Sequence, residues 1–264
     1  MRSAVDIGVD AVGGATRVTR LDQHGALAAR ITTDSSGDTI HLVGTAAGPL
    51  SGDLMTITVR LGAGARLRLR SVAAAVVLPC LPTLEPVRPA RVRIGIEVAE
   101  NGGLDLELQP TIVCQRAALV QTVTATVHPS ARLRLREALV AGRHDEPGGM
   151  WASRLDVHRD GAPVLRQLTT DRTSPARVLL CGVDLGPEDE AADQQGRPHA
   201  VGDAACGAVR CHLAPGGWTT TAWGPDLTSA RTGQRRLSRI KGLDDFGLVG
   251  DALLDHDRQP AISG

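Results

Sequence analysis

Two short stretches of the sequence place acidic and imidazole side chains beside glycine. Gly52-Asp53 precedes one alternating segment, and Glu137 precedes a Gly142-Arg143 pair that runs into His144-Asp145-Glu146. Carboxyl and imidazole groups are the side chains that acid–base catalysis uses, so Glu137, His144 and Asp145 could act as acid, base and ligand in a β-solenoid hydrolase or epimerase. Such a site requires the three groups to converge, and the sequence leaves this alternative open.

Cysteine and histidine also approach each other near the end of the chain. Cys206, Cys211 and His212 resemble half of a zinc site, but no second Cys/His pair lies at a supporting distance, so we expect small buried side chains there. The five cysteines are odd in number and irregular in spacing, which favours a reducing compartment. No P-loop or Rossmann glycine pattern is present, so nucleotide chemistry is expected to belong to a partner.

The elements that must position these residues are strands. Apolar residues alternate with polar ones at 55–61 and 67–69, at 92–98 and 104–108, and at 123–127 and 133–135, with a turn inside each pair. This alternation predicts a mainly β chain of stacked strand pairs in a layered, β-helix-like (solenoid-like) scaffold. A weaker pair and a short apolar strand extend the layered scaffold to residue 185.

The last third of the chain has a different composition. Residues 186–200 are acidic and polar, which predicts a mobile loop. Beyond it, residues 201–264 are predicted to hold strands, including Trp218–Trp223, and about two short helices. The first helix, 227–240, is capped by Asp226, and the second covers 244–254. We expect one domain over residues 1–264.

Composition narrows the classes of function. The 29 basic and 29 acidic residues balance, and the chain has one Phe, three Trp and no Tyr, which argues against nucleic acid as a partner. The arginines at 66, 68, 70, 132, 134 and 136 are interpreted as solvated or partner-facing strand positions. The longest apolar run, 72–78, is far short of the roughly 20 residues that span a bilayer. We therefore expect a cytoplasmic protein with no membrane contact.

The order of motifs resembles one protein family. The stretch 48–54, Gly-Pro-Leu-Ser-Gly-Asp-Leu, leads into a strand, a Gly-Ala turn and a second strand, as in the urease accessory proteins called UreD or UreH. Gln109-Pro110-Thr111, then Glu137 to Gly142-Arg143, and a strand that begins at Trp151 follow in the family order over about residues 10–185. Ser51 replaces the second glycine of the family's Gly-Gly-Asp, and Trp151 stands in place of Phe.

The resemblance implies a non-enzymatic chaperone. It would bind apo-urease and a UreF-type accessory protein, meet a UreG-type GTPase through that complex, and help to deliver nickel, with Ni²⁺ held transiently and no tightly bound cofactor. A relay needs weak oxygen or imidazole ligands, because Ni²⁺ lies high in the Irving–Williams order and a thiolate cage would trap it.

The resemblance also suggests candidate residues. Asp53 and Glu137 fall on family motif positions and are metal candidates, and His144 and Glu146 join them by proximity. Gly52, Gly142, Arg143 and Trp151 are candidates for partner contact or for a structural motif. The alternatives remain a turn for Asp53, a solvated loop for His144 to Glu146, and structural pairing for Arg143. A metal-free protein-interaction module is the third reading of the whole chain.

Overall fold

The computed structural model describes residues 1–34, 37–79, 88–173, 176–187, 198–214 and 216–238. In chain order the first strands are β1 (Arg2–Val12), β2 (Ala15–His24), β3 (Leu27–Asp34), β4 (Gly37–Gly44), β5 (Leu54–Leu61), β6 (Arg66–Ser71), β7 (Ala75–Val77), β8 (Ala90–Val98) and β9 (Gly103–Glu107). They continue with β10 (Thr111–Val113), β11 (Ala118–Val127), β12 (Arg132–Ala141), β13 (Met150–Arg159), β14 (Ala162–Thr170), β15 (Val178–Leu185), β16 (His199–Gly202), β17 (Gly207–His212), β18 (Trp218–Gly224) and the helix α1 (Leu227–Ser238).

Within these described residues the strands form two sheets. The seven-stranded sheet has the order β14-β13-β11-β8-β5-β1-β2. The eleven-stranded sheet has the order β16-β17-β18-β15-β12-β9-β6-β4-β3, with β10 beside β12 and β7 beside β10. The layered, mainly β prediction is therefore confirmed.

Consecutive strands of each predicted pair lie in different sheets. β5, β8 and β11 pair in parallel in the seven-stranded sheet, and their successors β6, β9 and β12 pair in parallel in the other. Each strand pair therefore crosses from one layer to the other and stacks on the next pair. The finer β-helix-like description stays a prediction, because the eleven-stranded sheet continues into the antiparallel strands β15, β18, β17 and β16.

The core lies between the two sheets. Alternation turns one face of each strand inward, and residues such as Ile96, Leu106 and Leu133 are at most 2% exposed. In the eleven-stranded sheet, the residues that alternate with these core residues face outward. The helix α1 packs on this outer surface, over β18, β17, β16 and β15.

The C-terminal predictions have a mixed outcome. The strand at Trp218 and the first helix are confirmed, and the Ser229 amide donates to Asp226 Oδ1 at 2.7 Å, as a helix cap does. The predicted helix 244–254, the last two residues of the predicted first helix, and most of the predicted acidic loop lie outside the described residues. In the described part of the chain, no helix has the length and apolar character needed to cross a bilayer.

Candidate functional site

A row of polar side chains interrupts the apolar interior between the sheets. Gln121 on β11 pairs in register with Ser153 on β13, which pairs with Thr169 on β14. In the facing sheet, Glu137 on β12 pairs with Cys181 on β15, which pairs with Thr221 on β18. We call these six residues the inter-sheet polar row: Gln121, Ser153, Thr169, Glu137, Cys181 and Thr221.

Glu137 is the carboxylate of this row. Gln121 Nε2 donates to Glu137 Oε2 at 2.7 Å, and Ser153 Oγ donates to Glu137 Oε1 at 3.2 Å, so both bonds bridge the two sheets. Burial raises the pKa of Glu137 to about 7, although both hydrogen bonds act to lower it. The group can therefore gain or lose its proton near neutral pH.

Cys181 lies beside Glu137 in the same row. Gln167 Nε2 on β14 contacts Cys181 Sγ at 3.7 Å and also donates to Thr169 Oγ1 at 3.3 Å. Burial, and then the neighbouring Glu137 carboxylate, raise the pKa of the Cys181 thiol. The thiol is therefore protonated at neutral pH and is a weak metal ligand, since the thiolate is the form that binds metal.

Asp53 completes a turn at the start of β5. Its Oδ2 accepts from the Leu50 amide at 2.9 Å, and its Oδ1 contacts the Met1 amino group at 2.5 Å. The Asp53 amide also donates to the Leu50 carbonyl at 3.0 Å. Gly52 adopts φ +83°, a conformation that glycine tolerates best. Both carboxylate oxygens of Asp53 thus hold the fold together at this turn.

The Gly142-Arg143 loop is fixed by its backbone and by one ion pair. Gly142 donates to the Val113 carbonyl at 2.8 Å, and a Cβ on Gly142 would lie 2.4 Å from the Glu146 carbonyl oxygen. Arg143 Nε and Nη2 each donate to the Glu146 carboxylate at 3.0 Å, and Arg177 donates to the Arg143 carbonyl. The Arg143 hydrogen bonds lower the pKa of Glu146 to about 2. Arg143 thus pairs with a carboxylate of its own loop, and its contact with a partner stays a prediction.

His144 and Asp145 stand out into solvent at the tip of this loop. Their side chains are 94% and 85% exposed, and they contact each other at 3.1 Å. Glu137 instead lies between the sheets, so the geometry does not bring Glu137, His144 and Asp145 into one catalytic pocket.

Trp151 is buried at the start of β13 and lines a cavity of about 380 Å³ together with Glu146, Pro147, Asp171 and Arg177. Trp151 therefore connects the Gly-Arg loop to the core.

A second cavity, of about 680 Å³, lies at the carboxyl ends of β5, β8 and β11, and its lining includes none of the predicted site residues.

The predicted metal candidates are spread over the molecule. The Asp53 turn and the Gly-Arg loop precede β5 and β13, which are separated by β8 and β11, or about 14 Å at the usual strand spacing. Over the described ranges, no group of three or more His, Cys, Asp or Glu side chains is arranged to hold a metal ion. The metal roles of Asp53, Glu137, His144 and Glu146 stay predictions.

Buried side chains were expected at Cys206, Cys211 and His212, but all three are only half-buried. Cys206, which directly precedes β17, donates from Sγ to the Ser229 carbonyl of α1 at 3.3 Å. The ring centroids of His212 and Trp218 lie 3.4 Å apart. The cysteines at 114, 181, 206 and 211 are free thiols. Cys80 lies outside the described residues.

Sequence reasoning did not single out Gln121, Ser153 or Cys181. The alternation of the strands could have identified them, because each occupies an inward-facing position between apolar residues, as Gln121 does between Leu119 and Val123. A polar residue at an inward position requires a buried partner. The partners themselves depend on which strands face each other.

Comparisons with known proteins point to one family. A model of the UreD urease accessory protein family matches residues 1–177. A UreD protein of Frankia alni is 44% identical over 119 residues, which cover 45% of this chain and 39% of that protein. One from a Parafrankia species is 36% identical, over 66% of this chain and 58% of its own length. UreD 1 of Saccharopolyspora erythraea is 31% identical, over 74% of this chain and 75% of that protein.

The matched stretch thus spans two fifths to about three fifths of the first two relatives. The family match covers well over half of this chain and includes the Gly-Asp turn, Glu137, the Gly-Arg loop and Trp151. On this basis the chain belongs to the UreD family of urease accessory proteins.

Proposed function

We propose that this chain is a cytoplasmic, non-enzymatic scaffold of urease maturation. It binds apo-urease and a UreF-type accessory protein, meets a UreG-type GTPase through that complex, and helps to deliver nickel. Ni²⁺ is cargo that passes through and is not a resident cofactor. The observation that carries the nickel role is the Glu137 carboxyl, whose pKa is about 7, placed in the inter-sheet polar row.

The chemistry of this row suits a weakly held ion. A metal ligand must first lose its proton, and a carboxyl with a pKa near 7 exchanges a proton for a cation with little bias at neutral pH. The neighbours of Glu137 are neutral: Gln121, Ser153 and a protonated Cys181. One carboxylate among neutral side chains binds Ni²⁺ weakly, which supports passage over storage.

The remaining candidates take different parts in this proposal. Asp53 and Glu137 each accept hydrogen bonds at both carboxylate oxygens, but the partners of Glu137 are neutral, whereas Asp53 pairs with the charged Met1 amino group. In this proposal Asp53 therefore contributes to the fold. His144 is exposed and is the candidate for a first contact with the ion at the surface. Glu146 would have to exchange its ion pair with Arg143 for the metal.

The test is urease activation by cells or purified components that contain this chain as Glu137→Gln. Glutamine keeps the shape and can still hydrogen-bond to Gln121 and Ser153, but it carries no negative charge. We expect slower activation and less nickel in urease, with unchanged co-elution of the accessory proteins on size-exclusion chromatography. The matched control is Glu107→Gln, the same chemical change at an exposed position of β9.

Two outcomes would overturn parts of the proposal. Normal nickel loading with Glu137→Gln would remove the inter-sheet polar row from the nickel route. Normal nickel loading in the complete absence of the chain would refute the maturation role and leave a metal-free interaction module. Loss of the accessory complex in the variant would instead assign Glu137 a structural role.

A further inference from the structure

Three large apolar side chains are exposed on the outer face of the seven-stranded sheet, near the amino ends of β11 and β13. Val120 on β11, Met150 on β13 and Leu168 on β14 are 39%, 57% and 65% exposed. Alternate residues of these strands, such as Ser153, lie between the sheets, so the three apolar side chains point outward. Val120 pairs in register with Ala152, which lies diagonally from Leu168 and two positions from Met150. The three side chains therefore form one exposed apolar area, which is typical of an interaction site.

Arginines adjoin this apolar area on the side of β1. In register across the sheet, Arg2 on β1 lies opposite Leu54, Leu54 opposite Arg91, and Arg91 opposite Val120. Arg93 follows two positions along β8, and all three arginines are exposed. The structure describes every residue of these two rows, and none of them is acidic. We call the six outward residues the amino-end patch: Arg2, Arg91, Arg93, Val120, Met150 and Leu168.

The nearest acids on the same face are already paired with other arginines. In the next row along the strands, Asp6 accepts from Arg60 Nη1 at 2.8 Å and pairs with Arg20 Nε at 3.1 Å. In the same row, Asp156 pairs with Arg154 Nε at 2.6 Å. The three arginines of the amino-end patch therefore add positive charge that no carboxylate of their own rows balances.

We propose that the amino-end patch binds an acidic amphipathic helix of another protein. Apolar side chains of the helix cover Val120, Met150 and Leu168, and its carboxylates face the three arginines. From β1 to β14 is five strand spacings, or about 24 Å, which is the length of about 16 helical residues. The two rows lie about 7 Å apart, so one helix of about 10 Å diameter covers both. This inference does not rest on the proposed role in nickel delivery.

Charge favours this occupant over a second copy and over an extended anionic surface. In a two-fold dimer through the patch, the three arginines of one copy would lie against those of the other, and like charges repel. A flat anionic membrane would extend beyond the patch over Asp22 and Glu97, whose side chains are both 66% exposed on the same face. A single helix is narrow enough to avoid these two acids.

Fluorescence anisotropy with stapled helical peptides tests the patch on the full-length chain. The probe is a labelled peptide of about 16 residues with Leu at one-turn spacing, Glu beside each Leu and Ala elsewhere. The control peptide has Gln in place of every Glu. We expect the Glu peptide to bind about tenfold more tightly than the Gln peptide, taking roughly a factor of two to three for each of the three arginines.

The apolar contacts are tested by changing exposed side chains. The double variant Met150→Ser with Leu168→Ser should weaken binding of the Glu peptide at least about tenfold, because full burial of one large apolar side chain alone favours binding by about that factor. The matched control is Val12→Ser with Val72→Ser, which are 58% and 61% exposed and lie outside the patch. Binding to the control should stay the same, and circular dichroism should show both variants folded.

The charged contacts are tested by a second pair of variants. Arg91→Gln with Arg93→Gln should reduce the preference for the Glu peptide over the Gln peptide from about tenfold to about twofold, since one arginine remains. The matched control is Arg17→Gln with Arg30→Gln, at exposed positions of β2 and β3. It changes the net charge equally and should keep the tenfold preference.

Several results would overturn the proposal. The first is no binding of the Glu peptide up to about 1 mM, and the second is equal binding of the Glu and Gln peptides. A dimer of the parent chain that dissociates in the Met150→Ser, Leu168→Ser variant would assign the patch to a second copy. Loss of binding to phosphatidylserine vesicles in that variant would assign it to a membrane. Tighter peptide binding after either acidic stretch, 188–193 or 244–257, is changed to amides would mean that the chain covers its own patch.

Discussion

At the scale of single residues, Glu137 couples the fold to pH. Its pKa in the fold is about 7, above the ordinary carboxyl value of 4.5 that applies to the unfolded chain. Between these two values the folded chain holds a proton that the unfolded chain has released. Stability is therefore full below about pH 4.5 and falls as the pH rises toward 7, by roughly 3–4 kcal/mol in all, since one pKa unit is about 1.4 kcal/mol.

Urea unfolding followed by circular dichroism between pH 5 and 8 checks this prediction. The Glu137→Gln variant should lose this part of the pH dependence and should be more stable than the parent chain above pH 7. An unchanged slope in the variant would show that Glu137 is not the titrating group. Glu107→Gln serves again as the control, because Glu107 is exposed.

Asp53 differs from Glu137, because its carboxylate is already paired with the Met1 amino group in the folded chain. Asp53→Ala removes the acceptor of the Leu50 amide and the partner of the Met1 amino group, so we predict a loss of about 1–3 kcal/mol in the free energy of unfolding. Asp22→Ala, on the exposed strand β2, should cost no more than about 1 kcal/mol. Equal losses in the two variants would contradict a structural role for the Asp53 turn.

At the scale of elements, the strands could be predicted because their signal is local. Val92, Ile94 and Ile96 alternate with polar residues and Gly, so the residues themselves mark the inward face, as the structure confirms. Glu137 could be found for a different reason, because it falls on a motif position of the family that the sequence resembles. Its partners could not be predicted, because Gln121 and Ser153 lie in the other sheet and meet Glu137 through stacking of strand pairs that the sequence does not specify.

The Gly142 loop is an element whose geometry depends on a missing side chain. Gly142→Ala must place a Cβ at φ +77° and 2.4 Å from the Glu146 carbonyl oxygen, so we predict a loss of about 2–3 kcal/mol. Gly161→Ala is the matched control: its φ is +74°, but a Cβ there meets nothing within 4 Å. It should cost only about 1 kcal/mol. Thermal unfolding of both variants measures the difference, and similar losses would mean that the close approach is relieved by movement of the loop.

At the scale of the whole molecule, the described residues contain two hydrophobic clusters of unequal size. The large one fills the space between the sheets and extends from Val5 to Leu213. The small one lies under α1 and includes Leu180, Ala222 and Leu237. Because α1 contributes to the small cluster only, its packing can open while the two-sheet core stays folded.

The two clusters predict different responses to the same kind of change. Leu237→Ala and Ile96→Ala each remove a large side chain that is at most 2% exposed, and each should cost about 2–5 kcal/mol where it acts. For Leu237→Ala we expect faster amide hydrogen exchange confined to α1 and the adjoining strands β16 to β18, because the lost contacts hold only that unit. For Ile96→Ala we expect a lower midpoint of global unfolding and faster exchange in both sheets. If Leu237→Ala instead lowered protection in β5 and β8 as much as in α1, the helix and the core would be one cooperative unit, and the independent opening of α1 would be wrong.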